Sequence, residues 1–482
     1  MAPLAFQGLA SGTLLPAAIK VLIHFWQTGP MLEIPGPGFA SVLGGWRQAP
    51  GPLVNALALA IRYAVIDGRI PVGTRLPSER SLAAALQVSR GTVVTALATL
   101  RDTGWLRTRH GSGSTIQLPP EVTDRTAPWS VDHGDGLDLT RAVPAAPHVA
   151  YLEASRRAVQ RSATLLVDAA EPDAGLPQLR ELLADRYTRE GLPTRSDQIL
   201  ITAGARAALT LLVDHLHDRT RPYLVESPTY HGALGILRRR RARLAAVPVT
   251  SDGWDAARLS RMVEAARPAL AYLTPDFHNP TGALMPPGLR TRVADLAARH
   301  NMTVIADETL RDLDLRVPAE PIAHLAGPGI IAIGSTSKLV WGGLRVGWLR
   351  ADASRIRELR LNPLQARLSP PPLEQLIACE LLSDPRDLLR DRRDRLRAQR
   401  DHLAALLDGA GDWSFTLPPG GLCLWLRLHD IDATALATRA AGRGVKLSAG
   451  PAFSADRTLT HYLRIPFTGT PETLTRAVDA LA

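Results

Sequence analysis

Apolar positions first fall into a regular pattern at Leu53, after which Leu57, Ile61, Ala64 and Val65 recur at the spacing of one helical face. The run DGRIPVG, with Gly68 and Pro71, ends that helix. A second helix is expected from LPSER to about Leu86, with Ser78 placed to accept hydrogen bonds from the free amides of its first turn. After the turn Gln87-Val88 a third begins at Ser89 and carries Val93, Val94, Leu97 and Leu100 toward Gly104. The stretch GWLRTRHGSGSTIQL then reads as two short strands, 105–109 and 114–118, around a glycine-containing turn. Helix, helix-turn-helix and hairpin within residues 42–118 predict a winged helix-turn-helix domain.

Residues 119–135, PPEVTDRTAPWSVDHGD, are rich in proline and charge and show no apolar period, as a linker would. Beyond them amphipathic runs such as GLPQLRELLADRYTREG alternate with the β-rich runs QILIT, RPYLVES, LAYLTP, MTVIADE and GIIAIGS. Strands separated by helices predict an α/β domain over residues 136–482, built on a mostly parallel sheet. From about residue 370 the chain turns helix-rich and then strand-like, in LCLWLRL and HYLRIPF, which predicts a smaller C-terminal α+β lobe. Residues 1–41 read as an N-terminal extension, with Met31 as an alternative start of translation. Its apolar stretch 14–26 is broken by Pro16, Lys20 and His24 and falls short of the roughly 20 residues of a membrane span, so no stable membrane association is expected.

A chain of 482 residues exceeds one ordinary domain, and 45% hydrophobic with 21% charged residues is a globular composition. Cys379 and Cys423 are far apart and lack partners at metal-ligand spacing, so neither a disulfide framework nor a metal site is expected, and a reducing cytoplasm fits. A net charge of +10 admits a polyanionic partner without requiring one. Its distribution says more: residues 51–118 hold arginines 62, 69, 75, 80, 90, 101, 107 and 109 against Asp67, Glu79 and Asp102, which is half of the chain's excess. Attraction to a phosphate backbone needs such a concentration. A recognition helix reads bases near its N-terminus, where Ser89, Arg90 and Thr92 stand, with Thr95 one turn further on. Arg75, Ser78 and Arg80 gather at the start of the preceding helix, and Arg109, His110, Gly111 and Ser112 form a wing tip slim enough for a minor groove. Singly, each is as well explained as a solvated surface residue. Jointly they predict double-stranded DNA as a partner.

From DGRIPVG to GSGSTI this segment resembles the winged-helix DNA-binding domain of the GntR family over its full length. One position departs, since members usually place glycine in the helix-turn-helix turn and this chain has Gln87. A left-handed residue there costs about 1 kcal/mol more as glutamine.

A second chemistry is signalled by charge type, because the chain has only the lysines Lys20, Lys338 and Lys446 against dozens of arginines. Lys338 stands in GSTSKLVWGGLRVGWL, and a lysine can lose its proton and attack an aldehyde, which arginine cannot. Pyridoxal 5′-phosphate held in this way needs phosphate donors, a carboxylate for its pyridinium nitrogen and a flat partner for its ring. Ser335 lies three residues before Lys338 and Arg345 seven after, so hydroxyl and guanidinium can converge on the phosphate. ITAGARAAL offers a strand, a glycine turn and a helix start, whose amides at Gly204, Ala205 and Arg206 would meet an anion. Asp307 ends VIADE and suits the ring nitrogen, Tyr230 in ESPTYHG suits stacking, and Asn279 in TPDFHNPTG suits the phenolic oxygen. Alone, NPTG reads equally as a plain turn, Asp307 as a strand-end cap and Tyr230 as a core aromatic.

In order and spacing these motifs resemble the fold-type I aminotransferases across residues 135–482. That resemblance implies an internal aldimine at Lys338 and makes Arg464, in HYLRIPF, the holder of a ligand α-carboxylate, hence an amino-acid-like ligand. Two positions depart: Thr309 and Ala170 stand where relatives often carry tyrosines, one near the phenolic oxygen and one reaching the neighbouring subunit's phosphate. General transamination is therefore less assured than cofactor binding. A GntR-type reader joined to such a domain resembles the MocR subfamily of bacterial transcription regulators, from about residue 42 to the end. This implies a head-to-tail, domain-swapped homodimer on promoter DNA, whose affinity changes when PLP, or an amine forming an external aldimine with it, fills the site. The alternative is a working aminotransferase with an accessory N-terminal domain, which Lys338, Asp307, Arg345 and Arg464 permit.

Overall fold

The computed structural model describes residues 36–43, 46–48, 52–66, 70, 74–109, 113–117, 119, 136–163, 165 and 173–481. The extension up to residue 35, most of the linker, the wing tip His110, Gly111 and Ser112, and Ala170 lie outside the described residues. The chain divides into two units, Met1–His133 and Gly134–Ala482.

In the first unit, helices α1 (Gly36–Leu43) and α2 (Leu53–Ile66) precede α3 (Glu79–Leu86) and α4 (Arg90–Asp102). Strands β1 (Leu106–Arg109) and β2 (Gly113–Ile116) follow as an antiparallel hairpin, with Leu106 opposite Ile116. The period seen in the sequence becomes the core: Phe39, Leu57, Ile61, Leu82, Leu97 and Ile116 are each at most 2% exposed. Helices α3 and α4 meet at 116°, the crossing of a helix-turn-helix. Ser78 and Ser89 cap them, accepting from Ser81 N and Thr92 N at 3.1 Å each. The turn between closes as a Schellman motif, with Gln87 N donating to Ala84 O and Val88 N to Ala83 O. That closure needs a left-handed residue, and Gln87 takes φ 51°. Arg47 donates to the carbonyls of Leu86 and Gln87 and so holds glutamine where glycine would sit at ease.

The second unit opens with β3 (Leu137–Asp138), α5 (His148–Ser162) and α6 (Pro177–Arg189). Its sheet comprises β4 (Ile199–Thr202), β5 (Tyr223–Ser227), β6 (Leu244–Thr250), β7 (Gly253–Trp254), β8 (Leu270–Leu273), β9 (Thr303–Asp307), β10 (Ile330–Ser335) and β11 (Gly347–Arg350). They lie in the order β4-β11-β10-β9-β8-β5-β6-β7. Strands β10, β9, β8, β5 and β6 are parallel neighbours, while β11 runs antiparallel between β10 and β4. Tyr223, Val225, Tyr272 and Ile305 face α7 (Ala205–His215) and α8 (His231–Arg239); Leu224, Ala271, Leu273 and Val304 face α9 (Ala256–Ala266) and α10 (Pro287–His300). Burial on both faces makes these strands continuous apolar runs.

A smaller lobe holds β12 (Trp413–Ser414), β13 (Cys423–Leu428), β15 (Ser448–Ala449) and β16 (Tyr462–Pro466) as an antiparallel sheet, and β14 (Val445–Lys446) pairs with β3. Leu139 and Ala142, from the start of the unit, share its core with Leu403, Leu424 and Ile465. The lobe is therefore built from both ends of the unit, unlike the single boundary expected near 370. Helix α11 (Pro372–Ser383) instead packs Leu376 and Ala378 with Leu179, Ile199 and Ile201, on the large-sheet side. Two-residue β3 meets a partner three hundred positions away, and no local pattern announces that.

Replacing Gln87 by glycine removes the left-handed penalty and is expected to stabilise the first unit by about 1 kcal/mol. Hydrogen exchange of the α3 and α4 amides in the full chain measures it; slower exchange supports the account, and faster exchange contradicts it.

Candidate functional site

Parallel strands deliver their C-terminal ends to one rim, where ligands of open α/β sheets bind. Here β4, β5, β8, β9 and β10 bring Gly204, Tyr230, Asn279, Asp307 and Ser335 to that rim or to the loops after it. The hairpin of β10 and β11 carries the lysine at its turn. Ser335 lies opposite Gly347, which also lies opposite Thr202. A Cβ on Gly347 would come within 2.5 Å of the Gly204 carbonyl carbon, so only glycine lets β11 pass here. Gly204, at φ 89°, starts α7, and its Cβ position is 3.9 Å from Ser335 Oγ. The serine hydroxyl thus stands beside the free amides of Ala205 and Arg206. Arg345, at φ 58°, closes the hairpin turn, and burial followed by the charge of Arg206 lowers its pKa. Positive charge accumulates at the helix start.

Lys338 Nζ donates to Ala142 O at 2.8 Å. Burial, followed by the charge of Arg464, pulls this amine from 10.5 down to about 8, although Asp307 acts the other way. Asp307 accepts from the Tyr272 hydroxyl at 2.5 Å and from Thr309 N at 3.0 Å, and burial raises its pKa. A protonated ring nitrogen would favour its ionised form. The Tyr230 ring lies against Gly232, where an added Cβ would be 2.4 Å away, and the charges of Arg206, Asp307 and Arg464 all act on it. Asn279, before a cis proline, accepts from Arg464 Nη1 at 3.5 Å. Arg464 is 1% exposed, donates through Nη2 to Thr140 O and lies 4.7 Å over the Phe453 ring. Its Nε has no hydrogen-bond partner among the described residues, an unmade bond that an incoming carboxylate would satisfy. These donors fit pyridoxal 5′-phosphate together with an amino-acid carboxylate.

Sequence reasoning missed three neighbours. Tyr272 is one more apolar-run aromatic on β8, and only its partner Asp307 distinguishes it. Cys423 Sγ lies 3.9 Å from Asn279 Oδ1, brought there by β13 of the small lobe. Arg141 stands between buried Leu139 and Ala142, and that charge in an apolar context was the available signal.

In the first unit, Arg80, Ser89, Arg90 and Thr95 are exposed and Thr92 is half-buried. Several of the expected contact hydroxyls already shape the helix: Ser89 Oγ lies 2.8 Å from Thr92 Oγ1, and Thr95 Oγ1 donates to Gly91 O at 2.9 Å. Arg90 pairs with Glu79 at 3.6 Å, a surface contact that phosphate can replace at little cost. Arg75 bridges to Thr115 of the hairpin, its Nε 3.2 Å from the Cβ position of Gly113. Arg109 ends β1.

A helix-turn-helix reader and an aminotransferase-like fold on one chain define a regulator of the DNA-binding class joined to an enzyme-like domain. Residues 53–116 match the bacterial regulatory proteins of the gntR family, and residues 144–481 match the aminotransferases of class I and II. This chain belongs to the MocR-type transcriptional regulators of the GntR family, with an aminotransferase class I and II domain. The uncharacterized HTH-type transcriptional regulator YisV of Bacillus subtilis is 28% identical over 80% of this chain and 85% of its own length. PdxR, the pyridoxine biosynthesis regulator of Corynebacterium glutamicum, is 31% identical over 64% of this chain and 68% of its own. The crystal structure of LysN, the alpha-aminoadipate aminotransferase of Thermus thermophilus complexed with N-(5′-phosphopyridoxyl)-L-leucine, matches with a TM-score of 0.67 and 27% identity, covering 75% of this chain and 95% of that one. No single helix among the described residues is long and apolar enough to cross a membrane.

A buried ionic cluster braces the end of β9. Glu308, next to Asp307, accepts from Tyr187 at 3.0 Å and lies 2.8 Å from His324 Nδ1, while His324 Nε2 lies 3.2 Å from Glu190. Arg311 joins Glu190 at 3.0 Å to Asp276 at 3.3 Å. Burial alone would lower the His324 pKa, but hydrogen bonds to Glu190 and Glu308 outweigh it and the pKa is raised. Charged His324 thus contributes stability that is fully present below the unfolded value of about 6.5 and lost as pH rises through the higher folded value. The stability gap between wild type and His324→Gln in urea unfolding should be widest below about pH 6 and narrow from neutral pH upward. A gap that stays constant with pH would refute this.

Proposed function

We propose that this regulator binds pyridoxal 5′-phosphate at Lys338 and senses the cofactor, an amino-acid-like amine that would take the place of the Lys338 amine on it, or both, altering its affinity for promoter DNA. The observation that carries the reading is the Lys338 amine, lowered to about 8 at a rim that also holds Asp307 and the buried guanidinium of Arg464. When bound, the cofactor supplies an aldehyde for Schiff-base chemistry and an electron-withdrawing ring. Ser335, the free amides of Ala205 and Arg206, and the Arg345 side chain would hold the phosphate; the Gly204 amide, expected to join them, donates instead to Thr202 O at 2.7 Å. Asp307, oriented by Tyr272 and Thr309 N, keeps a proton on the ring nitrogen. Tyr230 covers the ring, Asn279 holds the phenolic oxygen and Arg464 takes the ligand carboxylate.

The phosphopyridoxyl ligand of the LysN structure supports the cofactor assignment. In the other unit, Arg75, Ser78, Arg80, Ser89, Arg90, Thr92, Thr95 and the wing tip 109–112 contact double-stranded DNA, with α4 in the major groove. The protein acts in the cytoplasm as a head-to-tail homodimer. Val149, Leu152 and Val159, all strongly exposed along α5, support a subunit contact.

Purified protein given pyridoxal 5′-phosphate should develop the visible absorbance of a lysine Schiff base, forming faster as pH rises and levelling off above about 8. Lys338→Ala should show no such band, and only wild type should change its affinity for its own upstream DNA when the cofactor is added. Absence of the band in wild type ends the cofactor reading, and steady-state turnover of amino-acid and keto-acid pairs would make the protein an enzyme.

Arg80→Ala should weaken specific and random DNA alike and reduce the slope of log affinity against log salt by about 1, whereas Arg90→Ala, at the base-reading start of α4, should weaken specific DNA more than random. An unchanged slope removes Arg80 from the interface.

A further inference from the structure

Residues 139–142 form a strap across the rim, a few positions after the segment that joins the two units. Two site residues hold its backbone: Arg464 Nη2 donates to Thr140 O, and Lys338 Nζ donates to Ala142 O at 2.8 Å. Asp138 Oδ1 fixes its start, accepting from Thr140 N at 2.9 Å and Thr140 Oγ1 at 2.6 Å. Leu139 and Ala142 are anchored in the small-lobe core. Arg141 lies between the two held carbonyls with its side chain exposed, and among the described residues no hydrogen bond or ion pair engages its guanidinium. Its charge nevertheless reaches into the site, acting on both Lys338 and Tyr230.

The charges around the rim do not balance. Arg206, Arg464 and Arg141 all act on Tyr230, Arg206 also acts on Arg345, and Lys338 acts on the carboxylate of Asp307, with Asp138 acting on Arg464 from the strap. In the reading above, the cofactor phosphate answers Arg206 and Arg345, the ring nitrogen answers Asp307, and one ligand carboxylate answers Arg464. Arg141 remains without a counter-ion. A neutral amino acid leaves it so, whereas a second anionic group on the ligand would meet it.

We propose that Arg141 is a second anion-binding residue of this pocket and that the effector is an acidic amino acid, with its α-carboxylate on Arg464 and its side-chain acid on Arg141. The inference rests on the cofactor reading of Lys338. It also supplies a way for the ligand to be reported. The α-carboxylate competes with Thr140 O for Arg464, and the side-chain acid grips the strap from the ligand side, so the residues next to the linker change partners when the site fills.

Cofactor-free full-length protein is titrated calorimetrically with pyridoxamine 5′-phosphate and with the N-(5′-phosphopyridoxyl) adducts of L-glutamate and L-glutamine, which differ in one anionic group. Wild type should bind the glutamate adduct at least tenfold more tightly than the glutamine adduct. Arg141→Gln should reduce that preference below threefold without weakening the glutamine adduct, and Arg141→Lys should restore part of it. Equal affinities in wild type, or a preference intact in Arg141→Gln, overturn the proposal. Loss of both adducts in Arg141→Gln makes the residue a support of the strap and overturns it too. If wild type binds none of the three compounds, the cofactor reading falls first and takes this inference with it.

Discussion

The close passage of β11 beside the start of α7 is the constraint on which the ligand domain depends. Gly347 can approach Gly204 only because it carries no side chain. That approach lets an antiparallel strand enter between β10 and β4, which turns the lysine segment into a hairpin. The hairpin then places Ser335 at the amides of α7, Lys338 at its turn and Arg345 at the end of that turn, all on the rim where the parallel strands finish. A Cβ at Gly347 would push β11 away from the start of α7 and separate the amides of Ala205 and Arg206 from Ser335, Lys338 and Arg345. The site is thus a property of strand order before it is a property of any one side chain.

Much of this was legible because burial leaves marks in sequence. Strands buried on both faces read as apolar runs, so β4, β5, β8, β9 and β10 stood out, and with them the residues at their ends. Strand β11 was harder, since RVGWL lies in a glycine-rich motif whose chemistry overshadows its conformation. The small lobe was harder again, because β3 pairs with β14 through a contact that only the finished fold brings about. In the first unit, Gln87 could be read as a left-handed residue from its place after α3, while Arg47, which holds its carbonyl, sits forty residues upstream with no pattern pointing to it. Ser89, Thr92 and Thr95 show a different limit: the residue types that contact phosphate are the ones that cap and back-bond helices, and here the structure shows the second use.

Electrostatics ties the rim to the cluster behind it. Burial, followed by the charge of Arg464, lowers the Lys338 amine, and the Arg464 Nε has no hydrogen-bond partner among the described residues. Behind Asp307, Glu308, Glu190 and Asp276 pair with Arg186, Arg290, Arg311 and His324, which holds the end of β9. A buried donor left unpaired costs about 1 to 3 kcal/mol. On the rim the unpaired Nε of Arg464 is a donor the fold has already oriented, while Lys338 Nζ and Arg464 Nη2 hold backbone carbonyls that an anionic ligand would have to displace.

A regulator needs its ligand to distinguish two states, since binding that is equal in both shifts nothing. The strap offers a physical basis for such a difference. Its carbonyls are held by the two groups, Lys338 and Arg464, that the proposed ligand would claim, so holding the strap and holding the ligand compete. In the proposed reading, that competition would change the partners of the strap at the start of the second unit. Linkage then makes the effect reciprocal: DNA that favours one disposition of the strap must change ligand affinity by the same factor as the ligand changes DNA affinity. In this light the retained lysine need not turn substrate over. In the proposed reading, its exchange of partners, from the Ala142 carbonyl to a ligand, would be the event that is reported.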